Sequence, residues 1–163
     1  AGRAVPKVID FGLARALDQA APRAFRTTQG VVLGTPEYMS PEQAAAGSRA
    51  VDARSDVYAL GIVLDELLTG IHPYRDVEGA GPLEFLRRIV ETPPTPPADR
   101  LRQDPDRVAI AARRGLDVDR LATALGGELE TILLLAVTKD PSSRFSDVAA
   151  FASTLEACLP RLP

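Results

Sequence analysis

Tryptophan is absent from this sequence, and cysteine, histidine and methionine each occur once. The single cysteine, Cys158, cannot close an internal disulfide, which fits a reducing compartment, and it reads as a small core residue. The only histidine, His72 in "GIHPY", has no Asp, Ser or Cys pattern beside it. It reads as a loop residue and not as a catalyst. No apolar run approaches the roughly 18 residues that a membrane-crossing helix needs. The longest, "ALGIVL" and "ILLLAV", have the length of buried core segments. The opening "AGRAVPKVID" lacks a basic region followed by an apolar stretch, so no signal peptide is visible. Charge of one sign is missing too: 19 basic and 22 acidic residues are scattered along the chain for a net −3. A nucleic-acid binder would need clustered Lys and Arg, so no nucleic-acid partner is expected. The sequence also lacks an initiating Met, as a piece of something longer would. A cytoplasmic location is expected, with any membrane anchor lying outside this chain.

What is present is a soluble, core-forming composition, 45% hydrophobic and 25% charged over 163 residues, the size of one ordinary domain. "AVPKVIDFG" has the β-branched residues of a short strand. Residues 13–35 show little periodicity and read as a long loop, of a length that compact domains reserve for function. In "SPEQAAAG", Ser40 is the expected N-cap, Pro41 the first helical residue and Gly47 the stop. "RSDVYALGIVLDELLTG" is a longer helix closed by Gly70. Its middle, Val57 to Leu64, is apolar nearly all round, which predicts burial on every side. "GPLEFLRRIVE" is amphipathic, with Leu83, Leu86, Ile89 and Val90 on its expected core stripe. "TPPTPPAD" forces extended backbone and reads as a spacer. Residues 98–126 are irregular apart from a short helix at "DVDRLATAL". Two firm helices follow, "GELETILLLAVTK" and "SDVAAFASTLEACL", the second capped by Ser146.

Four blocks then carry the chemistry: "DFG" at 10–12, "GTPEYMSPE" at 34–42, "DARSDVYALGIVLDELLTG" from 52, and "KDPSSRF" at 139–145. In that order they resemble the C-terminal lobe of a bacterial-type serine/threonine protein kinase. The resemblance covers nearly the whole chain, and "SPE" stands where that family has "APE". It implies a protein-kinase-like fold, α+β overall, of which this chain is the mainly α part with a short β-hairpin and a long activation loop. The boundaries implied are 1–12 for the hairpin and DFG, 13–42 for the activation segment, and 43–163 for the helical lobe, with a Pro-rich, irregular insert near 92–126.

The roles follow residue by residue. Asp10 would hold Mg²⁺ against the phosphates of ATP, as a hard carboxylate ligand must. Phe11 would pack behind it and Gly12 let the backbone switch. Thr35 would contact the catalytic aspartate, and "GTPEY" argues against a tyrosine kinase. Leu33, Gly34 and Tyr38 would shape the pocket for the residue after the phosphoacceptor. Thr27 and Thr28 fall where phosphorylation orders the loop, with Arg23 and Arg26 at hand. Glu42 and Arg144 would form a buried ion pair. Asp56 would accept hydrogen bonds from the catalytic-loop backbone, or simply favour the start of its helix.

The 163 residues contain no G-x-G-x-x-G loop, no strand lysine paired with a helix glutamate, and no HRD-type aspartate with its downstream asparagine. The reading is therefore part of a kinase that phosphorylates protein serine or threonine. The alternative is a non-catalytic remnant, or a pseudokinase-like helical module that works by binding. A metal-dependent hydrolase built on Asp10 lacks a second ligand cluster. By itself the chain is expected to be inactive, and its partners are a protein substrate and the missing N-terminal part of the kinase.

Overall fold

The computed structural model describes residues 36–45, 51–75 and 81–159. All of them belong to one compact unit, Thr35–Pro163. The expected hairpin, the long loop and the Gly47 stop lie outside the described residues. Among those described there is no strand. Eight α-helices run in order: α1 (Pro41–Ala44), α2 (Ala53–Thr69), α3 (Pro82–Glu91), α4 (Pro97–Gln103), α5 (Arg107–Ala112), α6 (Val118–Leu125), α7 (Glu128–Ala136) and α8 (Val148–Cys158). Short 3-10 turns occupy Pro36–Tyr38 and Pro141–Ser143.

The molecule is organised around α2. Asp52 caps its start by accepting from the Arg54 amide at 2.8 Å. Gly70 ends it in the left-handed region at φ 75°, where a Cβ would be strained. From α2, Val57 enters a core shared with Leu129, Ile132 and Leu133 of α7 and with Phe151 and Cys158 of α8. One residue on, Tyr58 and Ile62 turn to a second core with Phe85 and Ile89 of α3 and Tyr74. Gly61 lets α7 approach closely: a Cβ there would stand 2.9 Å from Val137 Cγ1 and 3.0 Å from Ala136 Cβ.

Four expectations need correction. The central helix is not buried on all sides, because Leu60, Val63 and Leu67 form an exposed stripe, Leu67 being 70% exposed. On α3 the core residues are Phe85 and Ile89, one turn apart, while Leu83 is 75% exposed and Val90 also faces out. The expected short helix at "DVDRLATAL" is α6, but the residues before it are not irregular, since 97–112 hold α4 and α5. The three helices bury Leu101, Ile110, Leu121 and Leu125 in a third core with Ile71. Extended backbone is confined to 92–96, and Pro97 is already the first residue of α4. Lastly, α8 is capped by Asp147, which accepts from the Ala150 amide at 2.8 Å, and Ser146 donates to that aspartate from one residue outside.

Candidate functional site

The segment 36–44 forms a short ledge fixed to the helices beneath it. Ser40 begins α1, and its amide and hydroxyl both donate to Gln43 Oε1, at 2.9 and 3.0 Å. Tyr38 Oη donates to Glu66 Oε2 on α2 at 2.9 Å. That hydrogen bond to a carboxylate, with some burial, raises the phenol above its ordinary pKa. His72 Nδ1 accepts from the Tyr74 amide at 3.1 Å, so the ring hydrogen sits on Nε2 and is donated to the Glu37 carbonyl at 3.0 Å. Its ring stands edge-on to Tyr38, centroids 5.8 Å apart. Burial lowers its pKa, which keeps it neutral and in that tautomer. The lone histidine is a clamp within a loop.

Below the ledge, Arg144 and Glu42 meet in a two-pronged pair at 2.7 Å on each prong. The Arg144 side chain is 0% exposed, and its charge is met on all sides. Nε donates to the Thr138 carbonyl at 2.6 Å, Nη1 to the Arg54 carbonyl at 3.0 Å, and Nη2 to the Lys139 carbonyl at 3.1 Å. The guanidinium also lies 5.0 Å from the Tyr58 ring centroid. Ser55 adds a hydroxyl to Glu42 at 2.6 Å. Burial would push the Glu42 carboxyl up, but the hydrogen bonds from Arg144 and Ser55 outweigh it and hold the pKa at about 2. The structure thus joins Glu42 and Arg144 and sets Tyr38 on the same ledge. Asp56 lies apart, exposed on the first turn of α2, with no hydrogen bond from a described residue. Asp10, Phe11, Gly12, Thr27, Thr28, Leu33, Gly34 and Thr35 lie outside the described residues.

Two charges set into the packing were missed in the sequence, one buried and one half-buried. Asp65 of α2 is 1% exposed and paired with Arg100 of α4. Burial dominates there and pushes the carboxyl up to about 6. The signal was available, because an aspartate in "GIVLDELL" interrupts an otherwise apolar helix. Lys139 donates Nζ to Tyr74 Oη and to the Ile89 carbonyl at the end of α3, 4.6 Å from the Tyr74 ring centroid. Burial, with Arg144 nearby, lowers its pKa to about 8. Among the described residues no group of His, Cys, Asp and Glu could hold a metal ion. Nor is any described helix long and apolar enough to cross a membrane.

Residues 2–155 match the family model described as the protein kinase domain. The serine/threonine-protein kinase Pkn1 of Myxococcus xanthus is 35% identical over 153 residues, 94% of this chain and 18% of that protein. A probable serine/threonine-protein kinase of Corynebacterium efficiens, CE0033, is 37% identical over 150 residues, 92% of this chain and 19% of its own length. The serine/threonine-protein kinase PknB of Mycobacterium leprae is 37% identical over 149 residues, 91% of this chain and 19% of that protein. The chain spans about a fifth of the length of these curated relatives.

Proposed function

Because the chain belongs to the protein kinase domain family, we propose that it forms the substrate-facing, helical part of an enzyme that transfers the γ-phosphate of ATP to serine or threonine of a protein. The observation that carries this reading is the ledge. Residues 37–42 are tied to α2 through Tyr38–Glu66 and Ser55–Glu42, to the loop after α2 through His72, and to the chain before α8 through Arg144. A protein acceptor needs a rigid floor beside the reacting hydroxyl, since misplacement by about 1 Å can cost 10²-fold in rate. Leu33, Gly34 and Tyr38 are proposed to line that floor, with Thr35 reaching the catalytic aspartate and phosphates on Thr27 and Thr28 ordering the loop.

The family uses ATP with Mg²⁺. The described residues supply no ligand cluster for it, and Asp10 is proposed as a ligand. The remaining catalytic groups are proposed to come from polypeptide outside these 163 residues. The exposed stripe Leu60, Val63 and Leu67 below Asp56 supports this, as an apolar helix face suited to a further helix and loop. The test is phosphate transfer from labelled ATP to a protein acceptor. The chain alone should transfer none. Joined to a polypeptide bearing the Gly-rich loop, the lysine–glutamate pair and the HRD-type aspartate, it should transfer phosphate, and Asp10→Ala should abolish that. Transfer by the joined protein that survives Asp10→Ala would overturn the reading. No transfer in any combination would favour a helical binding module.

A further inference from the structure

The connector between α3 and α4 has no part in the ledge. Residues 92–96 run extended, and Thr95 lies between Pro94 and Pro96, which keep it out of either helix. Thr95 is exposed. Its carbonyl accepts from Arg100 Nη1 at 2.8 Å, while its hydroxyl has no described partner. Thr95 lines a recess together with Arg75, Arg100, Gln103 and Asp104. The Arg100 side chain is only 10% exposed, and its Nε is buried without a hydrogen-bond acceptor. A buried guanidinium donor left unmade is costly, and Arg100 is one of the residues that line the recess. Arg75 is half-exposed and spends one nitrogen on Asp104 Oδ2, at 2.8 Å.

We propose that Thr95 is a phosphoacceptor whose phosphate is received by Arg75 and Arg100. In the transfer, Thr95 Oγ1 bonds to the γ-phosphorus of ATP and the bond to the β-phosphate oxygen breaks. ADP leaves, and the hydroxyl proton passes to the carboxylate base of the serine/threonine kinase that acts. That kinase need not be this chain, so the inference stands apart from the function proposed above. Asp104 shares the recess, and the phosphate competes with it for Arg75. A near-dianion with three acceptor oxygens is the stronger partner for a two-pronged guanidinium. Once made, the contact would tie the connector to the loop after α2. Thr92 also precedes a proline, but it is half-buried and its amide is fixed to Arg88 as the end of α3.

The test places phosphothreonine at position 95 of the full 163-residue chain by encoded incorporation and follows its titration by ³¹P NMR. The second phosphate pKa, ordinarily about 6, should fall by roughly one unit relative to a peptide of residues 90–102 carrying the same group, a tenfold change. Arg75→Gln should reverse most of that fall, and it spares Arg100, whose loss would strand Asp65. Equal values in chain and peptide, or no effect of Arg75→Gln, would overturn the clamp. Phosphopeptide mapping of the protein taken from its own cells should find phosphate on Thr95. Phosphate on Thr92 alone, or on neither, would overturn the acceptor.

Discussion

At the scale of single residues, Glu42 and Lys139 tie stability to pH in two separate windows. Glu42 is held at about 2 against an ordinary 4.5. The unfolded chain therefore binds more protons between those values, and the stability Glu42 contributes is complete above about 4.5 and lost as pH falls toward 2. Lys139 is held at about 8 against 10.5. Here too the unfolded chain binds more protons across the window, so stability should rise as pH climbs from about 8 to 10.5. Urea midpoints measured across both windows should show both slopes, and Lys139→Met should flatten the alkaline one alone. Arg144→Ala, which strands Glu42 in the interior, should cost about 3–5 kcal/mol in the same assay. The Glu42→Gln, Arg144→Met double variant should cost clearly less than the sum of its parts.

At the scale of elements, α2 and α7 approach closely at Gly61. Alanine at position 61 would gain about 1 kcal/mol of helix propensity. Its Cβ would also meet Val137 Cγ1 at 2.9 Å and the Ala136 Cβ at 3.0 Å, the latter fixed to a helix backbone. Overpacking of that kind costs about 1–3 kcal/mol, so Gly61→Ala should lower the unfolding free energy where the same change on an exposed helix would raise it. Long elements were readable for the same reason that this contact matters. The 17 residues of α2 give several turns of pattern, a capping aspartate and a stop glycine. With 7 and 6 residues, α4 and α5 offer too few turns for a period to stand out, and the prolines before α4 suggested more extended chain than there is; the 8 residues of α6 were legible in "DVDRLATAL" through Asp117 and the glycine that follows. Ile89 of the expected α3 stripe is buried, but Leu83 sits in a first turn that overhangs solvent, and only packing revealed that Phe85 is the residue that joins Ile89 in the core. The Glu42–Arg144 pair was legible through resemblance alone, since no local pattern links residues so far apart.

At the scale of the whole molecule, the described residues gather three cores around a helix that still shows water an apolar stripe. Exposed apolar area forgoes about 25 cal/mol per Å², so the chain by itself should be marginal, unfolding below about 60 °C and prone to self-association. Replacing Leu60, Val63 and Leu67 together by glutamate should reduce light scattering at unchanged helix content, and should abolish binding to a polypeptide bearing the catalytic groups proposed to lie outside these residues. The pair between Glu42 and Arg144 also orders events during synthesis. It spans 102 positions, so at the usual elongation rates of about 5–20 residues per second the carboxylate waits roughly 5–20 s for its arginine to be made. Glu66 and His72 arrive much sooner. The ledge should therefore be pinned at its tyrosine end while the ribosome is still building α7, and locked only once Arg144 has emerged.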